Sequence, residues 1–279
     1  MAIVWWYLLV TRSFAKGYLG MLTQNQEQEI RIIVNQSLDK AEEHWKKGGH
    51  QLAVALEHAT FSESVLDKSE SEPSKIPGHP KVQDNYTVID EFIALVADMR
   101  DSSKHLINAI SKKTSKVTGL ERVYYETSAL LPAIAQTIKY KDGNVTEYLG
   151  DGVLALFKVD SDKKSDAIYS SYNAARNIIG DTREIVNQEL SERYSLPPIN
   201  LGVGLSLSKT LVSLVGLEGE KHPKAFGECV FRATKLSTGK NIIITDKYLK
   251  KMWPSSDGGT IKFKEKRVKK VKGFLIEDK

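Results

Sequence analysis

The chain has 279 residues, of which 41% are hydrophobic and 27% charged, with a formal net charge of +5. This composition suits a globular protein with a sizeable core and excludes a disordered, collagenous or disulfide-stapled chain. The single cysteine, Cys229, can form neither an intrachain disulfide nor a thiolate cluster, and the six histidines lack ligand spacing, so a cytoplasmic location is expected and a zinc site is not.

The chain opens on an apolar run, 2–10, that is broken by Arg12 and Lys16. A spanning helix needs about 20 apolar residues, so no stable membrane insertion is expected. The run is read instead as a helix burying Trp5, Trp6 and Leu8 against its own domain or a twin subunit. From residue 24, Ile30, Ile33, Val34, Leu38, Ala41 and Trp45 recur at helical spacing, so residues 1–66 form an N-terminal helical extension. Residues 67–84, rich in Ser, Pro and charge, read as a linker.

Over 85–279 strands and helices alternate. A buried strand is predicted at 91–98, helices at 102–113 and 120–140, and a hairpin at 145–157 whose tip is Gly150-Asp151-Gly152. One long amphipathic helix follows over 164–194, then two strands at 199–208 and 210–217, a short helix at 227–237, a strand at 241–245 and a closing segment at 268–278. Strands joined by both hairpins and helices imply an α+β sandwich with helices on one face of a mostly antiparallel sheet. The basic stretch 262–272 reads as a solvated strand face, and no nucleic-acid partner is expected because aromatic interleaving is thin.

Asp98 ends the first buried strand and Asp151 tips the hairpin, so the two carboxylates can meet at one edge of the sheet. Hard divalent cations take oxygen ligands, and Mg²⁺ in particular binds one or two carboxylates plus substrate phosphates.

The segments "FIALVADMRDSS", "VTEYLGDGVLALF", "INLGVGLSLS…LVGL", "FGECVFRATKLS" and "KKVKGF" occur in the order and approximate spacing of the class III adenylyl and guanylyl cyclase catalytic domain. The resemblance covers residues 85–277. It implies a ferredoxin-like domain working as a homodimer, with active sites between two copies. It further implies two Mg²⁺ or Mn²⁺ ions per site, held by Asp98, Asp151 and the Met99 carbonyl, with a nucleoside triphosphate as substrate. Ser102 and Ser103 match a phosphate-cradling turn, and Lys272 matches a lysine that contacts the terminal phosphates. Glu147 occupies a position that is lysine in adenylyl cyclases and glutamate in guanylyl cyclases, and Lys224 occupies the second base-reading position.

The chain departs from the pattern in three places. Asp101 adds a negative charge to the phosphate turn. Phe231 and Lys235 stand where the family's short helix carries an Asn and, four residues on, an Arg; Lys235 with neighbouring Arg232 is expected to balance phosphate charge. Glu147 accepts hydrogen bonds and Lys224 donates them, a combination suiting guanine, cytosine and uracil better than adenine. Tyr148, Phe226 and Phe231 are bulky, so the pocket is expected to favour CTP or UTP. A cyclase domain with a short helical extension is also similar to the pyrimidine cyclases of Pycsar antiphage systems. The alternatives are a guanylate or adenylate cyclase of general signalling and a degenerate cyclase-homology module that binds nucleotide or dimerises without turnover.

Overall fold

The computed structural model describes residues 21–49, 71–83, 87–107, 115–117, 119–217, 219–254, 259–268 and 271–278. The helix expected around Trp5, Trp6 and Leu8 lies outside these residues.

The apolar run after Val88 becomes the central strand β3 (Val88–Met99), with Phe92 to Ala97 buried without a break. Such a run signals a strand covered on both faces. Ile93, Leu95, Ala97 and Met99 join the large core under the helices, whereas Phe92, Ala94 and Val96 join a smaller core on the opposite face. Asp98 continues this second set by strand alternation.

β3 pairs antiparallel with β5 (Gly152–Lys158) on one side and β6 (Leu201–Val215) on the other. The sheet runs β4 (Asn144–Tyr148), β5, β3, β6, β8 (Ile242–Asp246), β10 (Val271–Asp278) and β9 (Ile261–Val268), with β7 (His222–Gly227) pairing the far end of β6. The β6–β8 pair is parallel and the other pairs are antiparallel.

Helices α1 (Gln24–His44), α3 (Gly119–Lys139), α4 (Lys164–Asn177) and α5 (Arg183–Tyr194) supply the large core. Helix α1 starts at a capping box, where Thr23 Oγ1 accepts from the Gln26 amide and Gln26 Oε1 accepts from the Thr23 amide. Its buried stripe of Ile30, Val34, Leu38 and Ala41 lies in the same core as β3. Polar ties flank that stripe: Arg31 pairs with Glu189, Arg193 bonds Asp39 at 2.7 Å, and the Tyr194 hydroxyl donates to Glu42 at 2.6 Å. The described part of the N-terminal extension is thus built into the domain. Helices are not confined to one face as expected: on the opposite face lies α6 (Glu228–Leu236), which buries Cys229, Ala233 and Leu236, the first two in the second core.

Three local readings are corrected. The two strands expected at 199–208 and 210–217 are the single strand β6, because its polar centre is satisfied inside: buried Ser206 donates to Asp246 at 2.7 Å, and buried Thr210 lies 3.3 Å from Cys229 Sγ. The helix over 164–194 is interrupted by a π-segment, Ile178–Thr182, in which Gly180 leaves helical geometry at φ −99°, ψ −110°. Part of the stretch read as a linker is folded: β1 (Ser71–Pro73) pairs with β2 (Lys81–Gln83), and Ile76 and Val82 are buried in the second core. The helix expected over 102–113 is described only as α2 (Ser102–Ile107); residues 108–114 lie outside the described set.

Candidate active site

The hairpin tip is built differently from an Asp-Gly turn. The Leu149 amide donates to the Gly152 carbonyl at 2.8 Å, so the two loop residues are Gly150 and Asp151. The Asp151 amide donates to the Leu149 carbonyl at 3.0 Å, closing a γ-turn centred on Gly150 at φ +74°. Gly152 is already strand and lies opposite Asp98. A Cβ there would sit 2.5 Å from the Ala97 carbonyl oxygen and 3.2 Å from Asp98 Oδ1. The two glycines therefore have separate tasks: one turns the chain, and the other lets the hairpin lie against the Asp98 carboxylate.

The result is a carboxylate pair. The Met99 amide donates to the Asp151 carbonyl at 3.2 Å, fixing the tip to the end of β3. Burial and then the neighbouring Asp151 carboxylate push Asp98 up to about 6, a rise that the Arg100 guanidinium partly offsets. Among the described residues no group of three or more His, Cys, Asp or Glu side chains is placed to hold a metal ion. Two half-buried carboxylates with a strand-end carbonyl nevertheless fit a hard divalent cation whose remaining ligands come from a phosphate.

Arg100 was not foreseen. Its Nη1 donates to Asp98 Oδ2 at 2.6 Å and to the Ser237 carbonyl at 2.9 Å, just past the end of α6. Asp101 follows with φ +65°, and its carboxylate is bound by Lys104 at 2.7 Å and Lys240 at 3.2 Å. These two ammonium groups hold Asp101 down to about 2 and neutralise the charge it adds to the turn. Ser102 and Ser103 begin α2, whose Lys104 and His105 amides bond back to the Asp101 carbonyl.

Glu147 and Lys224 meet. Lys224 Nζ lies 2.8 Å from Glu147 Oε2, tying β4 to β7 across chain positions far apart in sequence. Phe226 is two residues from Lys224 on β7, hence on the same strand face, and it is 39% exposed. Phe231 on α6 is 66% exposed, so neither ring is core filling. Tyr148 is also exposed, but strand alternation sends it to the face opposite Glu147, and the Lys75 ammonium lies 6.0 Å from its ring centre. A pocket-narrowing role for Tyr148 beside Glu147 is not supported by that placement.

One cation behaves differently from expectation. Arg232 is committed elsewhere: it pairs with Glu228, reaches Asp246 Oδ2 at 3.3 Å and lies 4.4 Å from the Tyr248 ring centre. Asp246 caps α7 (Lys247–Met252) through the Leu249 amide at 2.8 Å, so Arg232 braces a structural cap. Lys235, by contrast, is exposed one helical turn from Phe231 on α6. Lys272 bonds Glu265 across the β9–β10 hairpin at 2.9 Å. By register it lies three strands across and roughly five residues along from Asp98, about 20 Å away in the same chain.

No family model matches the chain. An alignment of 173 residues, covering 56% of this chain, is 25% identical to the terminal-differentiation-specific adenylate cyclase of Dictyostelium discoideum, and it spans 8% of that protein. Among solved structures, the guanylyl cyclase Cya2 superposes with a TM-score of 0.54 at 18% identity over 68% of this chain and 92% of its own. The adenylyl cyclase CyaB from P. aeruginosa superposes with a TM-score of 0.55 at 12% identity over 70% of this chain and 97% of its own.

Proposed function

We propose that this chain, whose fold is that of the class III nucleotide cyclase catalytic domain, converts a nucleoside triphosphate into its 3′,5′-cyclic monophosphate and pyrophosphate. The observation that carries the proposal is the Asp98–Asp151 pair, set at a strand end and a hairpin tip by a glycine whose Cβ would collide with the Ala97 carbonyl and crowd the Asp98 carboxylate.

Asp98, Asp151 and the Met99 carbonyl would hold Mg²⁺ or Mn²⁺, two ions per site in this reading. Bound there, the ions would activate the ribose 3′-hydroxyl and neutralise charge at the α-phosphate. Ser102 and Ser103 contribute helix-start amides that intrahelical bonding leaves over for a phosphate oxygen. Lys272 serves the terminal phosphates and Lys235 the α-phosphate. Since Lys272 lies about 20 Å from Asp98 within one chain, the two halves act on one substrate only when two copies pair. Ile89, Leu211 and Phe226 form an exposed apolar row in register across β3, β6 and β7, and this surface supports pairing with a second copy.

Glu147 and Lys224 present an acceptor beside a donor. Every nucleobase offers an adjacent donor and acceptor on its pairing edge, adenine included through its amino group and N1, so the expected bias against adenine falls away and this pair alone orients a base without choosing it. Selection then falls to bulk, and the exposed Phe226 ring beside Lys224 favours the smaller pyrimidines, CTP or UTP. An antiphage second messenger is the role that a pyrimidine product would support.

The test incubates the full chain with Mn²⁺ and each of ATP, GTP, CTP and UTP, and resolves cyclic nucleotide and pyrophosphate by mass. One cyclic product, lost in a folded Asp151→Asn variant, is the expected result. No product from a dimeric protein with any of the four would overturn the catalytic reading in favour of a nucleotide-binding module. Sedimentation on dilution checks the pairing, and a chain that is monomeric while fully active would refute the shared site.

A further inference from the structure

We propose that Arg100 is a placeholder cation for the carboxylate pair, so that divalent ion and triphosphate bind together and metal alone binds poorly. The inference rests on the reading of Asp98 and Asp151 as the metal carboxylates.

Two adjacent half-buried carboxylates repel each other unless a cation lies between or beside them. Arg100 supplies that cation, and its 2.6 Å contact takes up Asp98 Oδ2, an oxygen a metal ion would need. The other nearby cations do not: Lys104 and Lys240 are both engaged by Asp101. A divalent ion arriving alone must therefore break a charge-assisted hydrogen bond and then sit next to a displaced guanidinium, whose positive charge opposes it.

A triphosphate changes that balance. Its anionic oxygens are better partners for a planar guanidinium than one shared carboxylate oxygen, and they accept two parallel hydrogen bonds from it. Arg100 has a second hold on the protein through the Ser237 carbonyl at 2.9 Å, and its amide is fixed to the Asn200 carbonyl at 2.8 Å. The guanidinium can thus leave Asp98 while staying at the mouth of the site. Lys235 stands where the resemblance places an arginine, so Arg100 also returns a guanidinium to the phosphate region from the chain that carries the carboxylates. Exclusion of lone metal and retention of metal–triphosphate are two sides of one coupling, and linkage requires each ligand to strengthen the other by the same factor.

The probe is Mn²⁺ followed by electron paramagnetic resonance of the free ion, with and without inorganic tripolyphosphate, which removes the base from the question. The wild-type full chain should bind Mn²⁺ at least about tenfold more tightly when tripolyphosphate is present, after correction for the Mn²⁺–tripolyphosphate complex in solution. Arg100→Met should bind Mn²⁺ alone at least about tenfold more tightly than wild type and should lose most of the coupling. Arg100→Lys, which keeps a charge without the planar fork, should fall between them and guards against a folding defect in the Met variant. If Mn²⁺ affinity without tripolyphosphate is the same in wild type and both folded variants, the placeholder role is wrong while the metal site stands. If wild type binds Mn²⁺ under neither condition, or Asp98→Asn binds it equally well, the carboxylate reading itself fails and takes the proposal with it.

Discussion

Replacing Gly152 by alanine tests how the site is made. The added methyl would lie 2.5 Å from the Ala97 carbonyl oxygen and 3.1 Å from the Asp98 Cα, both main-chain atoms of a fully paired central strand. Neither can turn aside as a side chain would, so β5 must move away from β3 by an appreciable fraction of an ångström. Forced overpacking of this kind costs about 1–3 kcal/mol. The displacement falls on the pair Asp98↔Gly152, and a misplacement of about 1 Å at reacting groups can cost on the order of 10² in rate. The control is Leu38→Ala in α1, a fully buried side chain on the helical layer, whose removal should cost about 2–5 kcal/mol. Urea unfolding followed by circular dichroism, with cyclic nucleotide formation measured under conditions where each variant is folded, separates the two. Gly152→Ala should lose turnover out of proportion to stability, and Leu38→Ala should lose stability while folded molecules keep their turnover. Wild-type turnover in Gly152→Ala would refute the claim that close strand approach sets the carboxylate pair.

Glu126 is fully buried on α3, where it accepts from Arg122 Nε at 2.8 Å and meets His105 Nδ1 of α2 at 2.8 Å. Glu126→Gln should destabilise by about 3 kcal/mol because it leaves the buried Arg122 charge without its counter-ion, whereas Arg122→Met combined with Glu126→Leu should recover most of that loss in urea titration. Phe226→Ala removes the ring beside Lys224, and the ratio of purine to pyrimidine kcat/KM should rise by about tenfold or more in side-by-side assays of the four triphosphates.

Much of the fold was legible because its central elements announce themselves. The uninterrupted apolar run of β3 and the glycine-bounded hairpin leave few alternatives, and the i, i+4 stripe of α1 continues through Leu38 as periodicity predicts. Two of the errors fall where a polar residue is satisfied by a partner distant in sequence. Ser206 and Thr210 look like a break between strands until Asp246 and Cys229 are seen to bond them. Arg232 looks available for phosphate until the same Asp246 claims it. Asp98 and Asp151 could be paired in advance because strand end and hairpin tip are local features. Arg100 escaped notice because its significance depends on Ser237, 137 residues away, and no local spacing reports that approach.

The two-sided burial of β3 carries a consequence for how this protein tolerates change. Ala97 and Met99 press into the helical layer while the residue between them, Asp98, belongs to the other face. The packing beneath α1 and the placement of the Asp98 carboxylate therefore meet in three consecutive residues. A change in core volume at Ala97 or Met99 would shift the Asp98 carboxylate that lies between them. Substitutions that compensate for a displaced Asp98 should then be found among the helix residues that pack against Ala97 and Met99.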